Sequence, residues 1–359
     1  MPQQINLYFI APYFINDHDI KGAIGHRIYE VSKLIRQSKD INMIWYSYSD
    51  NCLKTTVNEF RLSHFKLIRS LLKDKLKKQK VFVWFCYPYT DSLMFLLFIP
   101  IFIFLKIRVF TDYVDLPLIK NRAQLDRKNF YYYLLYDLLN RHYNFSIFSS
   151  YCIYIHYLEH YHFQRKKCLY LPLTTSSFHK KYVTSHYPKL TLGFIGSNTE
   201  IESLIEFVDV INVSYKKNIP LRLIIIGNIK CQKYLKNFGW IDFFQQTNYF
   251  NLYKIFNEVD IGIVPYPKRW DKILPHKFIC YISHSIPVLS TNNKEIATFI
   301  SNYNCGIIYK NNHELIKAIS DIIDHKYDLQ SLSNNSDQCA NFFFNSIKYQ
   351  DKLHGFIKI

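Results

Sequence analysis

Glycine is scarce in this sequence, at 9 of 359 residues, and none of its 8 cysteines forms a C-x-x-C pair with another. The scattered cysteines argue against a zinc ribbon and against a disulfide framework. They are typical of a protein in a reducing compartment, and we therefore expect a cytoplasmic location.

A signal peptide and a long apolar run are also missing. The first residues, MPQQINLYFIAPYF, lack a basic region and a small-residue cleavage site. The strongest apolar run, Leu93–Leu105, has 13 residues and contains Pro100, which makes it short for a membrane span. We expect a buried helix there, with a membrane-embedded segment as the alternative.

Acidic residues are fewer than basic ones: the sequence has 28 Asp and Glu and 45 Lys and Arg, which gives a formal net charge of +17. Such a charge attracts polyanions in general, whether nucleic acid, an anionic membrane face or a phosphate-bearing substrate. The chain has no RNP, KH or helix-turn-helix signature, so we expect no nucleic-acid partner. Its 49% hydrophobic and 20% charged residues indicate a globular protein, and its length is enough for two domains.

Strand-like and helix-like segments alternate along the chain. Ile5–Ile10, Val81–Cys86 and Arg108–Val114 are strand-like, whereas apolar residues between 24 and 35 recur at helical spacing. The second half repeats the pattern with a strand at Leu190–Ile195 and an apolar run at Leu221–Ile226, which is expected of a buried central strand. This repetition predicts parallel sheets with helices on both faces.

The fold class that we predict is α/β, with two doubly wound Rossmann-like domains in tandem. A polar stretch without periodicity is interpreted as a linker at 176–189, between an N-terminal domain at 1–175 and a C-terminal domain at 190–330. The remaining residues, 331–359, are expected to form a helical tail that returns to the first domain.

Several motifs of the second half follow a recognisable order: LTLGFIGS (190–197), LRLIIIGN (221–228), VDIGIVPY (259–266), LPHKFICYISHSIPVLS (274–290) and CGIIY (305–309). This order resembles the donor domain of GT-B glycosyltransferases, in particular the retaining family-4-type (group 1) enzymes of bacterial capsule, O-antigen and exopolysaccharide synthesis. TDYVDL (111–116) resembles a first-half motif of the same family. The resemblance implies two domains that face each other across a cleft, with the acceptor bound by the first and the donor by the second.

The implied activity is transfer of a sugar from a nucleotide-sugar donor, expected to be a UDP-sugar, to a cell-envelope glycan. The acceptor would be a glycan or a polyprenyl-linked glycan, and the enzyme would work at the inner face of the plasma membrane without metal or cofactor. The alternative is a non-catalytic GT-B-like subunit that binds glycan or scaffolds an envelope assembly.

Donor-binding residues are predicted at the carboxyl ends of strands, where ligands of parallel sheets bind. Small residues at Gly196 and Ser197 would let backbone N–H groups approach the donor's phosphates, and Lys277 would add a full positive charge. Tyr281, Pro265 and Tyr266 would shape the sugar pocket, and by resemblance the turn at Gly239 and Trp240 would lie near the nucleobase. The predicted donor site comprises Gly196, Ser197, Lys277, Tyr281, Pro265, Tyr266, Gly239 and Trp240.

The sequence departs from the family pattern at two acidic positions. The retaining enzymes usually carry two Glu separated by seven residues, and the aligned positions here are Lys272 and Cys280. The roles of those acids in binding donor sugar and ribose therefore do not transfer. This departure is what favours the non-catalytic alternative.

Proton-accepting residues are expected in the first half. Inverting chemistry needs a carboxylate or histidine that takes the acceptor's proton, and Asp112, Asp115 and His26 are the candidates. Retaining chemistry needs no such base, so these residues do not decide the stereochemistry. Two metal-like patterns, D-x-D at 17–19 and H-x-x-E-H at 156–160, lack the context of a metal site, and no metal is expected.

A basic amphipathic segment occupies Phe65–Lys80. Its apolar residues recur at helical spacing beside many lysines, a pattern typical of helices on an anionic membrane surface. An ordinary surface helix whose apolar face packs on the domain core would have the same pattern. Both interpretations stay open at this point.

Overall fold

The computed structural model describes residues 4–11, 22–47, 59–61, 64–87, 100–113, 144–160, 163–176, 178, 189–196, 200–215, 221–245, 251–267 and 273–358. Internal contacts divide the chain into two compact units. The first comprises Met1–Asp17, Arg27–Pro172 and Ser346–Ile359, and the second comprises His18–His26 and Leu173–Asn345.

The first unit is built on a seven-stranded parallel sheet with the strand order β3-β2-β1-β4-β5-β6-β7. The strands are β1 (Ile5–Ala11), β2 (Ile41–Ser47), β3 (Glu59–Arg61), β4 (Lys80–Tyr87), β5 (Arg108–Tyr113), β6 (Phe145–Phe148) and β7 (Cys168–Tyr170), and the helices among them are α1 (Gly22–Arg36), α2 (His64–Leu76) and α3 (Tyr151–His160). Every residue of β1 is buried, as expected of a strand covered on both faces.

The second unit is built on a six-stranded parallel sheet with the order β10-β9-β8-β11-β12-β13. The strands are β8 (Leu190–Ile195), β9 (Leu221–Ile226), β10 (Ile241–Phe244), β11 (Ile261–Val264), β12 (Val288–Thr291) and β13 (Gly306–Tyr309), and the helices are α4 (Ile201–Tyr215), α5 (Gln232–Leu235), α6 (Leu252–Phe256), α7 (His276–Ile282), α8 (Lys294–Tyr303), α9 (Asn312–Ile323) and α10 (Leu329–Phe343). Asn311 caps α9 by accepting from the amide of Glu314.

The last helix, α11 (Gln350–Lys358), packs on the first unit. The ring of Phe356 makes edge contacts with Phe110 and Phe145 of the sheet, at centroid distances of 5.9 and 5.5 Å. A ring nitrogen of His354 lies 2.7 Å from the Leu34 carbonyl of α1. These contacts add the chain's C-terminal helix to the first unit's core.

The apolar run at 93–105 is described only in its last part. Residues 100–104 are helical, and Phe102 is buried in the core whereas Ile103 and Phe104 are exposed. This part is therefore a surface helix with one buried face and not the buried helix that was expected, and the earlier residues of the run lie outside the described ranges. Within the described ranges, no helix combines the length and the apolar character that a bilayer crossing requires.

Candidate functional site

The winding of the chain reverses at the centre of the six-stranded sheet. β8 lies between β9 and β11, so the chain extends the sheet on one side through β10 and on the other through β13. In open parallel sheets, ligands bind in the crevice that such a reversal leaves beyond the carboxyl ends of the strands. Gly196 follows β8 at this edge, and Pro265 and Tyr266 follow β11.

Gly196 lies where two strand ends approach each other closely. Its amide donates to the Ile226 carbonyl at 3.2 Å. A Cβ on Gly227 would lie 2.2 Å from the Gly196 carbonyl oxygen, and Gly227 has a φ of 143°, which only glycine adopts without strain. A Cβ on Gly196 itself would lie 2.4 Å from the Phe194 ring. Close packing at this turn therefore requires glycine at both positions, and the predicted Ser197 lies outside the described residues.

Lys277 occupies the first turn of α7 and is buried, with 6% of its side chain exposed. Its ammonium donates to Glu200 at 2.9 Å and lies 4.1 Å from the centroid of the Phe194 ring. Burial lowers the pKa of Lys277, and the Glu200 carboxylate opposes that shift. The predicted phosphate-binding lysine thus lies at the carboxyl edge, where its charge is paired with an acid immediately before α4.

Tyr281 joins α7 to the central strands. Its hydroxyl donates to the Gly193 carbonyl and accepts from the Ile195 amide, both at 2.8 Å. Its ring covers Gly262 of β11, where an added Cβ would lie 2.3 Å from the ring. Burial raises the pKa of Tyr281 well above its ordinary value, so the phenol stays protonated. Tyr281 is therefore fully occupied in holding the ends of β8 and β11 in place.

A cavity of about 550 Å³ opens at the same edge, beside the start of α4. It is lined by the first turns of α4 and α9 and by the residues that follow β11, β12 and β13: Glu202, Ser203, Glu206, Phe207, Pro265, Tyr266, Pro267, Thr291, Asn292, Asn293, Tyr309, Lys310, Asn311, Asn312 and Leu315. This volume is within the range of small-molecule sites. The carboxylates and amides in the lining are suited to hydroxyl-rich ligands.

The backbone of Tyr266 is held by a hydroxyl at this cavity. Thr291 Oγ1 accepts from the Tyr266 amide at 3.0 Å and donates to the Tyr266 carbonyl at 2.9 Å. Asn293 caps α8 and also donates to the Ile273 carbonyl at 3.0 Å. The loops after β11 and β12 are therefore cross-linked, so the cavity wall is formed before any ligand binds.

Asp112, a candidate proton acceptor, lies at the end of β5 in the first unit. Arg27 donates to both of its carboxylate oxygens, at 3.2 and 3.0 Å, and a third guanidinium bond reaches the Pro172 carbonyl. Both side chains are buried, and burial raises the Asp112 pKa while Arg27 opposes that shift. This carboxylate is committed to the ion pair, and Asp115 lies outside the described residues.

His26, the third candidate acceptor, groups with the second unit. Its Nδ1 lies 2.6 Å from Nε2 of His276 in α7, so one ring nitrogen donates to the other. Burial and the neighbouring His26 lower the pKa of His276 well below its usual range. Cys280, at one of the missing acidic positions, has its thiol 3.4 Å from the His276 ring, and Lys272 lies outside the described residues.

Gly239 and Trp240 lie at the opposite edge of the sheet. They precede β10, which runs parallel to β9, so they lie at the amino ends of the strands and not with Gly196. The Trp240 ring packs in the core, and its carbonyl accepts from the Leu223 amide at 2.9 Å. We therefore leave this turn out of the proposed donor site.

Two residues of the edge were missed by sequence reasoning. Glu200 pairs with a lysine 77 positions away, and nothing local in the sequence indicates that contact. Thr291 ends a strand and holds a neighbouring loop, which is a role that many strand-ending residues could have. Among the described residues, no three potential metal ligands lie close enough together to hold an ion.

No family model matches this sequence, and no curated protein matches it either. Solved structures do match. WaaG, a glycosyltransferase of lipopolysaccharide biosynthesis, is 13% identical with a TM-score of 0.64, covering 96% of this chain and 98% of its own. Sucrose-phosphate synthase from Thermosynechococcus elongatus is 13% identical with a TM-score of 0.69, and the match covers 99% of this chain and 98% of the synthase. Anabaena HepE in complex with UDP is 9% identical with a TM-score of 0.68, covering 99% of both.

The chain has the GT-B fold. The predicted α/β class with two Rossmann-like units is thereby confirmed. At identities this low the likeness concerns the fold alone, and the chemistry has to be argued from the residues of this chain.

Proposed function

We propose that this GT-B chain is a glycosyltransferase that moves a sugar from a nucleotide-sugar donor to a glycan acceptor. The observation that carries the proposal is the carboxyl edge of the six-stranded sheet, where Gly196 follows β8 and the Lys277 ammonium lies 5.9 Å from the ring centroid of Tyr266, a residue that lines the cavity of about 550 Å³. HepE, which has a similar fold, has been solved with UDP and with UDP-glucose. We therefore infer a UDP-sugar as the donor.

The donor's diphosphate would lie between Gly196 and the start of α4. Backbone N–H groups and the positive end of the α4 dipole favour an anion there. Transfer of the sugar leaves a nucleoside diphosphate with growing negative charge, and stabilising that charge is the main catalytic task. Lys277, which pairs with Glu200 immediately before α4, would exchange that carboxylate for a phosphate oxygen when the donor binds.

The cavity beside α4 would take a hydroxyl-bearing part of the donor. Glu202 and Glu206 offer acceptors for sugar or ribose hydroxyls, and Tyr266 offers a ring for stacking. The loops after β11 and β12 are held by Thr291 and Asn293, so binding would require little ordering of this wall. We assign the sugar pocket to this cavity.

The acceptor is proposed to be a cell-envelope glycan, free or polyprenyl-linked, modified at the inner face of the plasma membrane. His26 and Asp115 stay as predicted proton acceptors, whereas Asp112 would keep Arg27 in place. Retaining transfer requires neither of the two acceptors, so the proposal of donor binding does not depend on them. No metal takes part in the proposed reaction, because Lys277 and helix termini would carry the diphosphate charge.

A thermal-shift screen with UDP, GDP, CMP and TDP, followed by their sugars, tests this proposal. At a hundredfold excess over Kd, a ligand raises the melting temperature of a domain of this size by roughly 5–10 °C. A shift with one nucleotide would support the donor site and name the donor class. If no nucleotide changes the melting temperature, the proposed transferase is wrong.

A non-catalytic GT-B subunit is the second candidate. The observation in its favour is Cys280, which replaces an expected acid and is packed against His276. Such a protein would bind a nucleotide sugar or a glycan without turnover. Release of nucleoside diphosphate in the presence of a polyprenyl-linked glycan separates the two: steady release identifies the enzyme, and stoichiometric binding without release identifies the subunit.

A further inference from the structure

Helix α2 has apolar side chains on two opposite faces. Leu67 and Leu71 are fully buried and pack with Phe102 in the core of the first unit. Phe65 and Leu76, in contrast, are 79% and 84% exposed. A surface helix normally has one apolar stripe, which faces the core. The second stripe is therefore not explained by the packing of the fold.

The exposed residues form one line along the helix. Phe65, Leu72 and Leu76 are separated by seven and four positions, which is two turns and one turn at 3.6 residues per turn. Leu67 and Leu71 fall on the other side of the helix by the same geometry. The line faces solvent and includes an open groove of about 620 Å³ over Ile68, Leu72 and their neighbours.

A second apolar projection lies beside α2. The Lys75 ammonium donates to the Lys106 carbonyl at 3.2 Å, which brings the turn after residues 100–104 next to the helix. Phe104, in the same short helical segment, is 85% exposed, and Ile103 is also exposed. Isolated apolar side chains that project this far are better suited to entering the acyl-chain region of a lipid bilayer than to packing against a flat protein surface.

The charges around the line have one sign. Asp74 is the single acid between residues 64 and 80, and its carboxylate points inward, where it accepts from Tyr8 and Asn6 at 2.6 Å each. The exposed basic residues that flank the line are Lys66, Arg69, Lys73, Lys77 and Lys78. The outer face of α2 is therefore cationic and apolar, without any exposed acid on the helix.

We propose that this face docks on a membrane that contains anionic lipid. The α2 surface consists of Phe65, Leu72, Leu76, Ile103 and Phe104 together with Lys66, Arg69, Lys73, Lys77 and Lys78. Its apolar side chains would enter the boundary between headgroups and acyl chains while its basic residues contact lipid phosphates. The single-sign charge is what selects an anionic membrane over a protein partner. The proposal is independent of donor binding, and its test uses no nucleotide.

Sedimentation with vesicles tests the charges. Wild-type protein should bind vesicles of equal parts phosphatidylcholine and phosphatidylglycerol, should ignore pure phosphatidylcholine, and should dissociate as salt is raised. Lys73→Gln with Lys77→Gln should weaken binding roughly thirtyfold, from roughly fivefold for each basic residue. Lys233→Gln with Lys236→Gln, exposed lysines of the second unit, is the control with the same net charge and should bind like wild type.

The apolar half of the proposal needs its own variant. Phe65→Ser with Leu76→Ser keeps every charge and should weaken binding roughly tenfold for each side chain. Val213→Ser with Ile347→Ser removes two exposed apolar residues elsewhere and should change nothing. All four side chains are exposed, so unchanged melting temperatures check that the variants are folded. The proposal would be overturned if the protein bound both vesicle types equally. It would also be overturned if the control variants lost as much vesicle binding as the α2 variants. Either result would leave a protein partner for this surface.

Discussion

Replacing Lys277 by methionine should separate its structural contribution from its proposed contribution to donor binding. Methionine keeps the apolar part of the side chain but removes the ammonium, which lies 2.9 Å from Glu200 and 4.1 Å from the centroid of the Phe194 ring. Breaking a buried ion pair by removing one partner costs about 3–5 kcal/mol. Because the Glu200 side chain keeps 12% exposure and can still reach water, we expect the lower end, about 3 kcal/mol in the free energy of unfolding.

Donor affinity should fall as well. A hydrogen bond to a charged group contributes about 1.5–3 kcal/mol, so UDP should bind the Lys277→Met variant roughly ten- to hundredfold more weakly. Glu200→Gln removes the competing carboxylate and leaves the ammonium available. That variant should bind UDP at least as tightly as wild type, although it also loses the ion pair and is less stable.

Denaturant unfolding measures the first quantity and titration calorimetry with UDP measures the second, on the same preparations. Lys326→Met is the matched control, because Lys326 pairs with Asp321 at 2.6 Å but is largely exposed, and such pairs contribute little. Unchanged UDP affinity in Lys277→Met would refute the phosphate contact and leave Lys277 a structural residue. Equal loss of affinity in Glu200→Gln would refute the exchange, because the pair would then act only by holding the start of α4.

Three further changes follow from the geometry. Tyr281→Phe leaves two buried backbone groups of β8 without their partner and should lower the unfolding free energy by about 2–4 kcal/mol in a denaturant titration. An unchanged unfolding free energy would mean that water replaces the hydroxyl. Gly227→Ala places a Cβ 2.2 Å from the Gly196 carbonyl at positive φ, so calorimetry should find a clearly lower melting temperature and weaker UDP binding, and a neutral result would contradict the tight turn. Because the pKa of His276 is lowered in the folded chain, the unfolded chain binds more protons than the folded chain at pH values below the ordinary histidine pKa of about 6.5. Stability should therefore fall as the pH drops below that value. His276→Gln should make stability depend less on pH, as measured by thermal melts at several pH values.

Much of the fold follows from continuous apolar runs. β8 and β9 lie at the predicted bounds, Leu190–Ile195 and Leu221–Ile226, because strands covered by helices on both faces consist mostly of apolar residues. β10, Ile241–Phe244, was not predicted. It is an edge strand of four residues in which only Ile241 is buried and Asp242 interrupts the apolar residues, so no apolar run stands out.

The candidate site was harder to derive. Gly196 could be placed at a carboxyl edge, since a strand that ends in glycine has a recognisable pattern. The partner of Lys277 could not be derived, because Glu200 follows β8, Lys277 follows β11, and these two strands are neighbours in the sheet although they are far apart in sequence. Tyr281 was assigned to the sugar pocket, yet its hydroxyl bonds two backbone groups, a use of tyrosine that the sequence does not distinguish from ligand binding.

The paired state of Lys277 bears directly on which of the two proposed functions applies. A transferase releases a nucleoside diphosphate after each turnover. The cation that binds the donor's phosphates must therefore also release the phosphates of the product. A buried lysine that returns to Glu200 meets this requirement, because its charge is never left unpaired and the cost of burying it is met in both states. In a purely scaffolding protein the same pair would only hold the start of α4, and UDP affinity would not depend on it. Loss of UDP affinity in Lys277→Met, together with full affinity in Glu200→Gln, would therefore favour an exchangeable donor site of the kind that turnover requires, even though Cys280 replaces an expected acid.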